Sequence, residues 1–258
     1  MSSLSVVRPA PAQRRRGSQL RGLTGDLAAL VPVVARLPGA LRHRHAYISV
    51  DAARPTAHHP VLLLHGYGGS GAVWNGLSAG LQRAGFGYLL RVSYNSLSGN
   101  LNDLMRCIAD HAEDAVRRTG APGVHLVGHS LGGLLARYAA HHLTHVGVTS
   151  VVTISAPHGG LPLARVAPGS LAGLMQRGYP LPAPDGRSAP GSRWIAFYSD
   201  GDRLVPPALA RLDGPGFAAA NVLVPGRGHL TICRDPRLID GVVRELLGSE
   251  SIPQAAAA

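Results

Sequence analysis

Apolar runs alternate with helical patterns from residue 46 to residue 248 of the chain. Several of these runs are continuously apolar, which predicts a mostly parallel sheet with helices covering both faces, an α/β architecture. Seven runs have the length and composition of strands: Tyr47–Val50, Val61–His65, Gly87–Ser93, Val124–Gly128, Thr149–Ile154, Trp194–Tyr198 and Ala219–Val224. With 258 residues and 45% hydrophobic content, the chain can form one such domain with a sizeable core.

Two helices have clear boundaries in the sequence. The first covers residues 100–118, begins with Asn100 as an N-cap residue and repeats apolar residues along one face. The last helix is predicted after Asp235, because a proline follows at the first helical position. Beyond residue 248 the pattern stops, and we expect residues 249–258, which close with four alanines, to form a loose tail.

A long segment, residues 157–192, interrupts the alternation between two predicted strands. It is rich in proline, glycine and leucine, and a structureless loop of this length is uncommon in a compact domain unless it serves as a lid or binding loop. Within it, residues 170–175 are predicted to form a short helix with an apolar face. We interpret the segment as a cap over a functional site, with a variable insertion as the alternative.

The first 45 residues form a basic arm. Nine arginines against two aspartates in residues 1–55 contribute +7 to a formal net charge of +11, and the chain contains no lysine. Residues 1–20 have a composition typical of disorder, whereas Leu23 to Val34 have helical spacing. A basic amphipathic helix suits an anionic membrane surface; packing on the body of the protein is the alternative. Nucleic-acid binding is not expected, because no aromatic residues are interleaved with the arginines.

The number of cysteines and the length of the apolar runs indicate the cell compartment in which the protein resides. Cys107 and Cys233 are too few for a disulfide scaffold, and both are interpreted as buried thiols. Arg14–Arg16 resembles the start of a twin-arginine export signal, but Pro32 and Arg36 interrupt the apolar stretch that follows. No run reaches the length of about 20 apolar residues that a membrane span needs. We expect a cytoplasmic protein, with export or surface attachment as the alternative.

The strongest chemical signal is Gly128-His129-Ser130-Leu131-Gly132, placed between a predicted strand and a predicted helix. A G-x-S-x-G sequence in this context is typical of a nucleophile elbow, in which glycines permit a strained turn around the serine. The turn exposes the Ser130 hydroxyl at a helix N-terminus, where developing negative charge is favoured. The alternative is a glycine-rich turn in a dinucleotide-binding type of domain.

A serine nucleophile needs a base, and the base needs an orienting acid. With this elbow the chain order is Ser130, then an acid, then a histidine. His229 lies in a glycine-rich loop after the last predicted strand, and Asp202 lies in the turn after the preceding strand. Asp200 competes for the acid role, but Asp202 is favoured because the apolar residues of Leu204–Pro206 can anchor its turn. Both loops leave the carboxyl edge of the sheet, where ligands bind in α/β folds.

An oxyanion formed at Ser130 needs backbone donors. Leu131, directly after the nucleophile, supplies one N–H, and Tyr67 in the glycine-rich loop 65–71 is predicted to supply the second. A phosphate-binding loop is the alternative for this loop, but it lacks the G-x-x-x-x-G-K-[ST] pattern. The side chain of His129 is expected to point away from the base. We expect six further residues to line the substrate site: His65, Gly66, His129, His158, Leu171 and Leu174.

In combination these segments resemble the bacterial lipases and esterases of the α/β-hydrolase superfamily. The resemblance rests on Pro60–Trp74, Gly128–Gly133, Ser155–Gly160, Asp202–Pro206 and Gly228-His229. It implies an α/β-hydrolase fold with a Ser130, His229 and Asp202 triad, and an oxyanion hole formed by Tyr67 and Leu131. It also implies hydrolysis of acyl or lipid esters through an acyl-enzyme, with no cofactor and no metal. A thioesterase, an acyltransferase and a non-catalytic lipid-binding protein are the alternatives.

Overall fold

The computed structural model describes four parts of the chain. They are residues 47–53, 57–176, 191–214 and 217–250. The basic arm and its predicted helix, residues 177–190 of the cap segment, and the tail from residue 251 lie outside these ranges.

A seven-stranded sheet forms the centre of the domain. The described residues contain nine strands, of which seven form this sheet. In chain order the nine are β1 (Tyr47–Ala53), β2 (Val61–Leu64), β3 (Tyr88–Ser93), β4 (Gly123–His129), β5 (Gly147–Ile154), β6 (Arg193–Tyr198), β7 (Asp213–Gly214), β8 (Phe217–Ala218) and β9 (Ala220–Leu223). Their order across the sheet is β1-β3-β2-β4-β5-β6-β9, with β7 and β8 forming a separate antiparallel pair. All neighbours in the large sheet are parallel except β1, which runs antiparallel to β3. The seven apolar runs and the mostly parallel sheet are therefore confirmed.

Five α-helices within the described residues connect or flank the strands. They are α1 (Asn75–Arg83), α2 (Leu101–Thr119), α3 (Leu131–His142), α4 (Pro207–Ala210) and α5 (Pro236–Glu250). Short 3₁₀ turns lie at Gly71–Trp74, Pro162–Val166, Ser170–Met175 and Ile232–Arg234. The prediction of a short helix at residues 170–175 is confirmed in 3₁₀ form.

Side-chain caps explain where two of the helices begin. Asn100 Oδ1 accepts hydrogen bonds from the backbone N–H groups of Asn102 and Asp103 at 2.8 and 3.2 Å, as the sequence predicts for α2. Asp235 Oδ1 accepts from the backbone N–H of Arg237 at 2.8 Å, which caps α5. Helix α5 continues through Glu250 and buries Ser249, so the expectation that the tail starts at residue 249 is wrong by two residues.

The core lies on both faces of the sheet. On β2, Leu62 and Leu64 face a cluster built with α2 and α3, while Val61 and Leu63 face a second cluster built with α1 and α5. Because successive side chains of a strand point to opposite faces, a strand covered by helices on both sides must be apolar at every position. This double cover accounts for the continuous apolar runs in the sequence.

The described part of the proposed cap packs against the body of the domain. Leu171 and Leu174 are buried in the same core cluster as α3, and the backbone N–H of Leu161 donates to the Met175 carbonyl at 2.6 Å. Val166, by contrast, is 78% exposed. Both side chains contribute to the core, and the expectation that Leu171 and Leu174 line a substrate pocket stays a prediction.

Two expectations about thiols and membrane spans can be compared with the structure. Cys107 on α2 is only half-buried, which corrects the interpretation of both cysteines as buried, whereas Cys233 is buried. Neither cysteine forms a disulfide within the part of the chain that the structure describes. Among the described helices, none combines the length and the apolar character needed to cross a bilayer.

Candidate active site

Ser130 occupies a sharp turn between β4 and α3. Its backbone has φ 55° and ψ −122°, a region that non-glycine residues rarely adopt and that costs of the order of 1–3 kcal/mol. The turn closes only because its glycines lack side chains: a Cβ at Gly128 would lie 2.1 Å from the Gly132 carbonyl oxygen, and one at Gly132 would lie 2.0 Å from the Leu64 oxygen. The strain and the close contacts fit the predicted elbow.

Three side chains far apart in the sequence form one hydrogen-bonded chain at the carboxyl edge of the sheet. His229 Nε2 lies 3.0 Å from Ser130 Oγ, and His229 Nδ1 lies 2.8 Å from Asp202 Oδ2. All three residues are buried. The structure therefore brings the predicted nucleophile, base and acid together, with the ring in the orientation that proton transfer between serine and histidine needs.

The turn after β6 determines which aspartate reaches the histidine. Asp202 Oδ1 accepts hydrogen bonds from the backbone N–H groups of Leu204 and Val205 at 2.9 and 2.8 Å, which leaves Oδ2 for His229. Asp200 is exposed, and its carboxylate accepts instead from the Gly226 N–H at 2.6 Å. Of the two candidates in the sequence, the contact with His229 thus belongs to Asp202.

The loops that carry the acid and the base are bound to each other, a feature that the sequence analysis missed. Ser199 Oγ accepts a hydrogen bond from the Arg227 backbone N–H at 2.9 Å. A Cβ at Gly201 would lie 2.8 Å from the Gly226 carbonyl carbon, so the two loops touch through glycine. The signal available in the sequence is the small residues in both loops, Ser199, Gly201 and Gly226. Their contact fixes the spacing between Asp202 and His229.

The ring of His129 lies beside the ring of His229, with centroids 4.9 Å apart. Its Nε2–H donates to the His229 backbone carbonyl at 2.9 Å. Burial, and next the nearby His229 ring, lower the pKa of His129 to about 3, so this ring is neutral. The expectation that its side chain points away from the base is wrong. The ring contacts the loop that carries His229, and the expectation that His129 lines the substrate site stays a prediction.

His65 supports the loop that passes over the nucleophile. Its Nδ1–H donates to the Gly66 carbonyl at 2.8 Å, its Nε2 accepts from the Tyr94 backbone N–H at 3.3 Å, and its ring stacks on that of Tyr94. The Tyr94 hydroxyl donates in turn to the His65 carbonyl. Burial lowers the pKa of His65 to about 4. Both ring nitrogens are engaged in supporting the loop, and the expected contact between His65 and a substrate stays a prediction.

The loop after β2 approaches Ser130 at Gly66. A Cβ at Gly66 would lie 3.1 Å from the Ser130 Cβ, so a side chain at this position would crowd Ser130. The next residue, Tyr67, is held by its hydroxyl, which donates to the Pro168 carbonyl at 2.6 Å. Gly68 N–H donates to Ser96 Oγ at 2.8 Å. These contacts fix the loop on both sides of the Tyr67 backbone.

The backbone N–H groups of Tyr67 and Leu131 are the predicted oxyanion donors. Leu131 is the first residue of α3, where no intrahelical acceptor exists for its N–H. Within the described part of the chain, neither N–H donates to a protein acceptor. Two backbone donors without protein acceptors beside a serine hydroxyl can stabilise negative charge on a tetrahedral adduct.

His158 lies in the turn after β5, away from the three-residue chain. Its Nε2 is 3.0 Å from Thr153 Oγ1, and Nδ1 has no partner among the described residues. Burial, followed by the charge of Arg137, lowers its pKa to about 3. The turn itself begins at Ser155, which like Ser130 is a non-glycine residue with positive φ, 46°. The contact to β5 holds one ring nitrogen of His158, and the expected contact between His158 and a substrate stays a prediction.

The sequence matches the alpha/beta hydrolase fold family over residues 59–231, which is more than half of the chain. The chain therefore belongs to the alpha/beta hydrolase fold family, as the resemblance predicts. The match contains the elbow, the acid turn and the base loop.

Relatives and solved structures agree with this membership. The triacylglycerol lipase of Burkholderia plantarii is 30% identical over 139 residues, 51% of this chain and 38% of that protein. The crystal structure of Paleococcus ferrophilus monoacylglycerol lipase is similar with a TM-score of 0.60 and 18% identity, covering 80% of this chain and 99% of that one. The type II thioesterase BorB of the borrelidin biosynthetic cluster has a TM-score of 0.53 and 20% identity, covering 77% and 96%. The two structural likenesses show the shared fold. The chain spans less than half the length of the curated relatives that it matches.

Proposed function

We propose that this protein hydrolyses carboxylic esters through an acyl-enzyme on Ser130. The observation that carries the proposal is the buried hydrogen-bonded chain from Ser130 Oγ through His229 to Asp202 at the elbow. A serine hydroxyl is a weak nucleophile at neutral pH, and an imidazole at 3.0 Å with a carboxylate behind it supplies the base that it needs.

The mechanism follows from these positions. Ser130 Oγ attacks the ester carbonyl carbon while its proton passes to His229 Nε2, and the Asp202 carboxylate stabilises the imidazolium that forms. The carbonyl oxygen becomes an oxyanion held by the N–H groups of Tyr67 and Leu131. Collapse of this adduct breaks the bond to the alcohol oxygen, which takes the proton from His229. Water then attacks the acyl-enzyme with His229 again as base, releasing the acid and free Ser130.

Acyl or lipid esters are the proposed substrate class. Two relatives with named activities, from Burkholderia plantarii and Pseudarthrobacter phenanthrenivorans, are triacylglycerol lipases, and one structural neighbour is a monoacylglycerol lipase. The segment beside the Tyr67 loop, residues 161–175, is mostly apolar in sequence, and it exposes Val166. These features favour substrates with an acyl chain over short polar esters.

A thioesterase is the second candidate, because the same residues cleave acyl thioesters and one structural neighbour is a type II thioesterase. The two activities are separated by offering esters and thioesters with the same acyl chain. We expect a higher kcat/KM for the oxygen ester. A higher value for the thioester would favour the second candidate.

The central experiment is a chain-length series of p-nitrophenyl esters with the wild type and two serine variants. We expect Ser130→Ala to lower kcat on the order of 10⁴-fold or more, because nucleophile and base act as a unit. Ser98→Ala removes an exposed hydroxyl outside the site and is expected to match the wild type. Equal rates for Ser130→Ala and the wild type would refute the proposed mechanism. Cleavage of acetyl esters alone would refute the substrate class.

A further inference from the structure

A second cluster of titratable side chains lies at the amino edge of the sheet, opposite the edge that carries Ser130. His59 precedes β2, His125 lies near the start of β4, and Glu250 ends α5. The ester-hydrolysis mechanism uses none of these residues. They are separated by up to 191 positions in the sequence, yet one potential ligand atom from each lies within 4.8 Å of the other two.

The carboxylate of Glu250 lies between the two imidazoles. Oε2 is 2.5 Å from His59 Nδ1, and Oε1 is 3.0 Å from His125 Nε2. Ligands about 2.1 Å from a tetrahedral Zn²⁺ are roughly 3.4 Å apart, so both observed spacings are shorter than a shared metal ion requires. Metal binding would need side-chain rotations that move the atoms of each of these two pairs apart by less than about 1 Å.

The other nitrogen of His125 is held as a metal ligand would need it. His125 Nδ1 is 2.7 Å from Ser150 Oγ on the neighbouring strand β5, and the His125 side chain is fully buried. A metal-binding histidine usually gives its second N–H to an oxygen, which fixes the ring and leaves a lone pair for the ion. The Ser150 hydroxyl can accept from Nδ1–H when Nε2 binds a metal, or donate to Nδ1 when Nε2 carries the proton. The same site thus suits both the metal-bound and the metal-free state.

His59 and His58 complete the surroundings. His59 Nε2 is buried and has no hydrogen-bond partner among the described residues. Of the two ring nitrogens, only Nδ1 contacts Glu250. His58 Nδ1 lies 3.7 Å from Glu250 Oε1 at the outer side of the cluster. A water molecule or His58 can therefore provide a fourth ligand.

We propose that His59, His125 and Glu250 bind a divalent transition-metal ion, and that the preferred ion is Zn²⁺. Two imidazoles and one carboxylate are the donor set that Zn²⁺ prefers, whereas Ca²⁺ and Mg²⁺ prefer oxygen ligands throughout. The ion would join the end of α5 to the starts of β2 and β4. Because the site lies at the opposite edge of the sheet from Ser130, the ion would stabilise the folded domain and would take no part in ester cleavage.

The test uses the full chain, purified without a polyhistidine tag, stripped with a chelator and titrated with ZnCl₂. Isothermal titration and thermal unfolding are expected to give one Zn²⁺ per chain and a higher Tm with the metal, because an ion that binds only the folded state stabilises it. Co²⁺ in place of Zn²⁺ is expected to give the visible absorption of a tetrahedral site.

Four variants locate the site. Glu250→Gln and His125→Gln are expected to abolish the Tm increase and the Co²⁺ spectrum, and Ser150→Ala is expected to weaken binding 10–100-fold through loss of the partner of Nδ1. His145→Gln, an exposed histidine outside the cluster, is the matched control and should bind as the wild type does. If His125→Gln does not fold, Glu250→Gln and Ser150→Ala still decide the question.

Two results would overturn the metal site: no binding of Zn²⁺ to the stripped wild type, or equal affinity in Glu250→Gln and His145→Gln. Since every readout is binding, absorption or Tm, the result does not depend on whether the protein cleaves esters. The ester proposal is in turn tested by Ser130→Ala, which leaves the metal cluster intact.

Discussion

His129, the residue before Ser130, donates its Nε2–H to the backbone carbonyl of His229 at 2.9 Å. A carbonyl oxygen can only accept, so the proton of the neutral His129 ring must be on Nε2. One end of the elbow is therefore bonded directly to the loop that carries the base. The distance between Ser130 and His229 depends on this contact as well as on the Asp202 turn.

The contact predicts a positioning role for His129. In His129→Leu the His229 carbonyl loses a buried partner, which costs about 1–3 kcal/mol, and we expect kcat to fall 10- to 100-fold with KM nearly unchanged. His129→Gln retains an N–H donor and should recover part of the rate. Steady-state kinetics on a p-nitrophenyl ester measure both. Wild-type kcat in the leucine variant would show that the base loop is held in place without this contact.

Gly66 sets the distance between the oxyanion loop and the nucleophile. In Gly66→Ala the new methyl group would lie 3.1 Å from the Ser130 Cβ, so the loop or Ser130 must shift by a few tenths of an ångström. Because complete loss of an oxyanion donor costs about 2.7–4 kcal/mol, we expect this shift to lower kcat by up to the order of 10²- to 10³-fold. Gly71→Ala, in the same loop, meets only ordinary contacts at 3.5 Å or more and serves as the control. Similar kinetics in the two variants would contradict this account of the loop.

The two aspartates after β6 should behave differently. Asp202→Asn removes the charge that stabilises the imidazolium and favours the wrong tautomer of His229, and we expect kcat to fall on the order of 10⁴-fold. Asp200→Asn replaces an exposed carboxylate whose described contact is to Gly226 N–H, and kcat should stay within about twofold of the wild type. Kinetics and Tm of both variants check the assignment. A larger loss of kcat in Asp200→Asn than in Asp202→Asn would reverse it.

Among the buried neutral histidines, His65 and His129 predict a loss of stability in mild acid. The folded-state pKa values of His65 and His129 lie near 4 and 3, below the ordinary value of 6.5, chiefly because of burial. Below pH 6.5 the unfolded chain takes up protons that the folded chain does not. The free energy of unfolding therefore falls as the pH drops from 6.5 towards 4, by up to about 1.4 kcal/mol per pH unit for each ring. Above pH 6.5 these two groups contribute no slope.

Urea unfolding at a series of pH values from 7 to 4.5 measures this slope. In His129→Gln one titrating ring is gone, so the stability of this variant should fall less steeply with acidification than that of the wild type. His145→Gln removes an exposed histidine and should keep the wild-type slope. Parallel curves for His129→Gln and the wild type would mean that His129 is not the group that takes up the proton on unfolding.

Local pattern was enough to predict most of the fold. The seven strands, the Asn100 and Asp235 caps and the turn at Ser130 each depend on neighbouring residues, so the sequence contains their signals directly. The pairing of Ser130 with His229 could be predicted from the sequence for a different reason. Parallel strands present their carboxyl ends at a common edge, so residues at those ends meet whatever their separation in the chain.

Contacts that depend on packing could not be predicted in this way. The orientation of His129, the support of the loop by His65 and the burial of Leu171 and Leu174 follow from how helices and loops meet across the sheet, which no local spacing records. The cluster at Glu250 is of the same kind, because its members come from a loop, a strand and the last helix turn.

The hydrogen bond from the Tyr67 hydroxyl to the Pro168 carbonyl has a practical consequence for changing selectivity. Tyr67, which is proposed to hold the oxyanion through its backbone N–H, also contacts the proposed cap segment, residues 157–192, through its side chain. A chimera that exchanges this segment to accept longer or shorter acyl chains would disturb turnover together with preference. Engineering of substrate range would therefore have to preserve an acceptor for this phenol, whatever else is replaced.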